Sequence, residues 1–181
     1  MWLIMLFFLG SLVIIGFSWR VFSNPRSYGF FRFLAFEAIW AVITINVPWW
    51  FRDVLSASQI VSWIFLLGSL GLAISGFQLL RAAGGHSVKE SSTNYAFEQT
   101  SRLVTTGPYR YIRHPLYASL ILLAWGAALK SGSLASIFFS LLATGLLYLT
   151  ALAEEEENLE RFGEIYARYI TSTRMFVPGV F

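Results

Sequence analysis

Cysteine is absent from all 181 residues. That removes disulfides, thiol nucleophiles and cysteine-ligated zinc together. Histidine is almost absent too: His86 and His114 are the only two, too few for a histidine-rich metal centre, so no metal site is expected. Charged residues make up only 13%, with a formal net charge of +3. No basic tract with interleaved polar residues occurs, which argues against nucleic acid as a partner. Internal repeats and low-complexity tracts are missing as well.

What fills the chain instead is apolar: 56% of residues are hydrophobic. Residues 1–19, 54–80 and 131–153 are three runs without a single charge. A spanning helix needs about 20 apolar residues, and lipid admits only structures that satisfy their own backbone. Phe-rich and Leu-rich runs without strict alternation point to helices, not barrel strands. The predicted fold is therefore all-α: a polytopic membrane helical bundle of about five transmembrane helices, with a cytosolic loop and a C-terminal amphipathic helix.

The five apolar segments are 2–22, 33–51, 57–80, 115–129 and 134–153. They organise residues 1–181 as one integral membrane unit: three N-terminal spans (1–80), a cytosolic loop (81–114), a helical hairpin (115–153) and a C-terminal helix and tail (154–181). Met1-Trp2-Leu3 carries no basic n-region, so the first helix is expected to be retained. The fourth segment is short, so a buried or re-entrant helix competes there with a full span. Lys130-Ser131-Gly132-Ser133 is a tight connection that makes segments four and five an antiparallel hairpin. Asn46 and Pro48 mark a kink or the end of the second helix. Eleven lysines and arginines fall in loops on one side, against Arg52 and Lys130 on the other. That asymmetry places the N-terminus outside, and the 81–113 loop and C-terminal tail in the cytoplasm.

Chemistry concentrates at that cytoplasmic boundary. Residues 105–117 read TTGPYRYIRHPLY, and Glu154-Glu155-Glu156-Glu157 follows one hairpin later. Thr106-Gly107-Pro108-Tyr109 reads as a turn, and Pro115 suits the first position of a helix. Free N–H groups in that first turn favour an anionic or polar ligand. Tyr109, Tyr111 and Tyr117 supply aromatic faces for an adenine ring or a sulfonium. Taken singly, interfacial tyrosines and arginines are an ordinary membrane collar, and a glutamate run is often a solvated helix start. An RHPxY element facing glutamates is a candidate site, with Glu154 and Glu155 in it and Glu156 and Glu157 solvated. Leu159, Phe162, Tyr166 and Tyr169 recur at helical spacing opposite Glu160, Arg161, Glu164 and Arg168. This predicts an amphipathic helix continuing from the fifth segment, weakened at Gly163 and stopped before Pro178.

LVTTGPYRYIRHPLY, followed after one hairpin by EEEENLERFGEIYARY and a terminal proline, resembles the isoprenylcysteine carboxyl methyltransferase family. That family is related to the membrane phospholipid methyltransferases. The resemblance covers residues 101–178 and implies a membrane-embedded enzyme that uses S-adenosylmethionine and releases S-adenosylhomocysteine. It implies that Ser101, Arg102, Leu103 and Val104 line the cofactor pocket, that Tyr109 is an aromatic contact, and that His114, Pro115, Leu116 and Tyr117 are the HPxY element. Glu154 and Glu155 match the paired glutamates, Glu154 as the one that binds the cofactor. Asn94 falls near a polar cofactor contact. One position departs: Thr150 stands where prenylcysteine enzymes carry the arginine that holds the substrate carboxylate. The expected activity is methyl transfer to a lipophilic or lipidated acceptor dissolved among membrane lipids. The alternatives are a phospholipid head-group N-methyltransferase and a non-catalytic cofactor-binding membrane protein. No residue is assigned a catalytic role, and the oligomeric state is left open.

Weaker candidates remain. Glu37, within the second helix, either orients a substrate head group or pairs at the interface. His86 either touches the acceptor or is solvated, and Glu98 has no assignment. The small face Ser69, Gly71, Ala73, Ser75 and Gly76 is helix packing.

Overall fold

A computed structural model describes residues 1–23, 28–83 and 103–179. Six helices occupy them: α1 (Trp2–Phe17), α2 (Tyr28–Asn46), α3 (Ala57–Ala83), α4 (Pro115–Ala128), α5 (Leu134–Phe162) and α6 (Glu164–Ser172). Short 3₁₀ turns at Trp19–Ser23, Val47–Trp49 and Gly107–Arg110 join them. The only extended pairing among the described residues is a single parallel bridge between Ile112 and Arg174. The chain is an all-α membrane bundle, as the composition predicts.

Three helical stretches are long and apolar enough to cross a membrane: Gly29–Trp49, Ala57–Ala83 and Leu134–Phe162. The other two apolar helices are shorter. At about 1.5 Å per residue, α4 reaches only about 21 Å. It is the buried-helix alternative: Pro115, Tyr117, Ala118, Ser119, Ala124, Gly126, Ala127 and Ala128 are all inaccessible. Residues before Pro115 do not extend it, because His114 adopts a non-helical conformation (φ −122°, ψ 62°). α1 has no buried residue and packs against α2. There Trp40 donates its Nε1–H to the Phe7 carbonyl at 3.0 Å, across Gly10, where any Cβ would sit 2.1 Å from the indole.

Alanines set the spacing of the core. Ala35, Ala38 and Ile39 of α2 meet Tyr117, Ala118 and Ala124 of α4 and Ala143, Leu147 and Ala151 of α5. Small side chains let helices approach where lipid offers no hydrophobic drive to associate. Buried hydroxyls close the remaining gaps: Ser62 donates to the Gly126 carbonyl at 2.6 Å, and Ser140 to Ala124 at 3.2 Å. Asn46 ends α2, not kinks it. Its side chain donates to the Val42 carbonyl at 2.7 Å and to the Ser136 hydroxyl at 2.8 Å, and Pro48 lies within the 3₁₀ turn that follows. The tight α4–α5 hairpin is present, with Ser133 capping α5.

The C-terminal part departs from the sequence expectation in one way. The amphipathic helix is not continuous: Gly163 takes φ 56°, ψ −131°, a conformation open essentially to glycine, and turns the chain. The apolar stripe is split accordingly, with Leu159 40% exposed while Tyr166 and Tyr169 are buried. The helix stops before Pro178, as expected. α6 ends at Ser172, Thr173 is extended, and the following residues run beside Tyr111–His114 as a strap.

Candidate functional site

The ends of α3, α4 and α5 meet the strap at one end of the bundle. Gly107 opens the approach. Its φ of +59° and the Leu79 side chain, 2.7 Å from where a Cβ would lie, exclude any other residue without a shift. The turn it starts buries Tyr109, whose carbonyl accepts from the Tyr169 hydroxyl at 2.5 Å. From there the backbone is tied to the strap. Arg174 N–H donates to the Tyr111 carbonyl at 3.0 Å, Arg113 N–H to Arg174 at 2.7 Å, and His114 N–H to Met175 at 3.2 Å.

Side chains complete the arrangement. Arg113 Nε donates to Glu155 Oε1 at 2.6 Å, and its Nη1 to the Thr173 and Ile170 carbonyls at 2.8 and 3.3 Å. His114 Nε2 lies 3.2 Å from the same Glu155 oxygen. Its Nδ1 faces Glu154 Oε2 at 4.0 Å. Tyr117 donates to that Glu154 oxygen at 2.5 Å and stacks on His114, rings 5.5 Å apart and 13° from parallel. Phe176 covers the imidazole from another side, at 6.1 Å. Two carboxylates are thus held differently. Glu155 is enclosed and paired, whereas the Glu154 side chain keeps 30% of its surface. Burial pushes the Tyr166 and Tyr169 phenols above their ordinary range; the Glu155 and Glu154 charges add to this at Tyr166, whereas at Tyr169 the Arg113 charge opposes it. Both tyrosines therefore stay neutral packing groups.

A pocket of about 60 Å³ opens among Leu80, Tyr109, Arg113, His114, Leu116, Tyr117 and Glu154. Of the expected site residues, Tyr109, His114, Leu116, Tyr117 and Glu154 line it, and Pro115 and Glu155 stand directly behind. Leu103 and Val104 are half-buried but do not line it. Ser101, Arg102, Asn94, His86 and Glu98 lie outside the described residues. Tyr111, read as an aromatic face of the site, is 58% exposed and does not line it. Thr150 is fully buried, and its hydroxyl donates to the Leu146 carbonyl at 2.8 Å. Glu156 is exposed and Glu157 half-buried. Glu37 accepts from Ser11 at 2.7 Å through one oxygen. Sequence reasoning placed Arg113 in the RHPxY element but gave it no partner, and it missed the strap. Arg113 reads as one more basic residue of the collar, and Arg174, Met175 and Phe176 carry no pattern that announces pairing.

A helical membrane bundle with a paired-carboxylate pocket at one end of its short buried helix defines a class of protein. The model of the phospholipid methyltransferase family matches residues 57–168, and the chain belongs to that family. It is 30% identical over 70 residues to a methanethiol S-methyltransferase of a Pseudomonas species, 39% of this chain and 26% of that protein. It is 25% identical over 118 residues to methanethiol S-methyltransferase 1 of Bradyrhizobium diazoefficiens, 64% of this chain and 38% of that one. It is 30% identical over 115 residues to the cobalt-zinc-cadmium resistance protein CzcN of Cupriavidus metallidurans, 64% and 49%. The chain thus spans between a quarter and a half of the length of these relatives. No solved structure matches it.

Proposed function

We propose that this protein is a membrane methyltransferase that moves the methyl group of S-adenosylmethionine to a lipophilic acceptor, with the site on the cytoplasmic face. The observation that carries the reading is Glu154. It is a carboxylate held at a membrane-helix end by Tyr117, still accessible, in a pocket walled by aromatic rings. Charge placed so close to hydrocarbon is costly and belongs to function by default.

The donor set fits the polar end of that cofactor. Glu154 matches an ammonium, and Tyr109 and Tyr117 offer π-faces to a cation. The first turn of α4 has no side-chain cap, so its N–H groups are suited to a carboxylate. With about 60 Å³ against the roughly 300–1,000 Å³ of a whole ligand site, the pocket accounts for one end only. The cofactor supplies an activated methyl group. The protein's task is to hold the acceptor in line at about 3–3.5 Å and keep water out. A second reading narrows the acceptor to a small thiol, since two relatives are named methanethiol S-methyltransferases. A phospholipid amine is the remaining alternative, and mass shifts on membrane lipids would single it out.

The test is calorimetric binding of S-adenosylhomocysteine to protein in detergent. Wild type is expected to bind. Glu154→Gln is expected to bind about 10–100-fold more weakly, as befits loss of one charged hydrogen bond. Failure of wild type to bind would overturn the proposal.

A further inference from the structure

The two nitrogens of His114 are not in equivalent positions. Nε2 lies 3.2 Å from Glu155 Oε1, an oxygen also held at 2.6 Å by the Arg113 guanidinium. A carboxylate oxygen only accepts, so the nitrogen facing it carries the proton. Arg113 is itself fixed by two strap carbonyls, and the imidazole is clamped between Tyr117 and Phe176. In the neutral ring Nδ1 then holds a lone pair. Among the described residues no hydrogen bond reaches Nδ1, and His114 lines the pocket beside Glu154. Among the described residues Arg113 is the one cation that lines the pocket, and it is occupied by Glu155 and the strap. The Thr150 hydroxyl is buried and used within its own helix.

We infer that His114 is a catalytic base working through Nδ1, and that the acceptor is therefore a protic nucleophile, a thiol or an amine, and not a carboxylate. This rests on the methyltransferase reading above. The acceptor's X–H bond breaks; its proton goes to Nδ1 and its electron pair forms the X–CH₃ bond. The pair of the broken methyl–sulfur bond stays on sulfur, and the imidazolium takes up the positive charge that the sulfonium loses. Glu155 then faces a cationic ring, which it stabilises. Arg113 and Glu155 are positioning residues. The geometry is that of a base oriented by a carboxylate, where removing the base costs about 10²–10⁴-fold.

Two measurements test it. Nitrogen-15 NMR of histidine-labelled protein in detergent, with the His114 signal identified by its loss in His114→Gln, is expected to show a protonated Nε2 and an unprotonated Nδ1. The opposite tautomer would overturn the inference without touching cofactor binding. The second is the pH profile of methylation at saturating donor, with an alkanethiol and, in parallel, an alkylamine. Arg113, Glu154, Glu155, Tyr109 and Tyr117, with Tyr166 and Tyr169 beyond Glu155, are the charged and titratable groups around the ring. On the accepted substrate, wild type should lose rate on the acid side. His114→Gln should be at least about 100-fold slower near neutrality and gain rate in proportion to hydroxide as the acceptor ionises unaided. A uniform fall at every pH would make His114 a donor-binding residue and sink the proposal. Methylation of a carboxylate substrate, with neither protic acceptor used, would do the same. Loss of S-adenosylhomocysteine binding in wild type would instead strike the parent reading.

Discussion

Arg113 carries more of the site than its place in a basic collar suggests. Its guanidinium and Glu155 keep only 9% and 12% of their side-chain surface, so each depends on the other for compensation. Breaking such a buried pair by removing one partner costs about 3–5 kcal/mol, and Glu155 would keep only His114 beside it. Arg113→Gln is therefore expected to lower stability by about that much in thermal unfolding in detergent. Adding Glu155→Gln should recover part of the loss, since it removes the charge left behind. If the double variant were no better than the single, the pair would not be the source of the loss. RHPxY and the glutamates are legible in the sequence as a meeting of charges. That Arg113 takes Glu155, and leaves Glu154 with Tyr117, depends on where the strap carbonyls fall.

At the scale of elements, the turn at Gly163 separates two helices that the apolar spacing alone would fuse. Helical periodicity sees side chains, whereas the break is a backbone event at one residue with φ 56°. A Cβ at Gly163 would have nothing within 4 Å, so substitution there tests conformation without a packing clash. Gly163→Ala should lower stability by about 1–2 kcal/mol, read as a lower melting temperature. It should also disturb the Tyr169–Tyr109 hydrogen bond that seats α6 beneath the site. An unchanged melting temperature would mean that the two helices tolerate fusion. Helix α4 teaches a related lesson. Its short apolar run left burial and spanning open, and the packing of α2, α3 and α5 around it decided for burial.

For the whole molecule, the distribution of lysine and arginine argues that the site faces the cytoplasm, and the absence of cysteine makes that directly testable. Single cysteines introduced at Leu55, 86% exposed on the α2–α3 connection, and at Arg168, exposed on α6, sit at opposite ends of the bundle. In intact cells a membrane-impermeant maleimide should label Leu55→Cys and spare Arg168→Cys until the membrane is opened. The reverse pattern would invert the topology and place the pocket outside. The end of the bundle opposite the pocket is closed by Lys130, buried with its ammonium 3.8 Å above the Trp63 ring and bonded to Gln59 at 2.9 Å. Burial lowers its pKa from the ordinary lysine value. This cation counts toward the charge asymmetry yet is satisfied within the protein.

The sequence by itself determined the membrane class, the helical fold, the starts of α4 and α5 with the tight turn between them, and the pairing of HPxY with the glutamates. Each follows from local composition or spacing: hydrocarbon demands long apolar runs, and proline and glycine punctuate them. Only the tertiary structure decided the roles within the site. The division of labour between Glu154 and Glu155 arises from contacts between residues 37 to 60 positions apart, and the burial of α4 from its packing against α2, α3 and α5. Such contacts depend on how the helices pack and where the strap lies, and no local pattern encodes either.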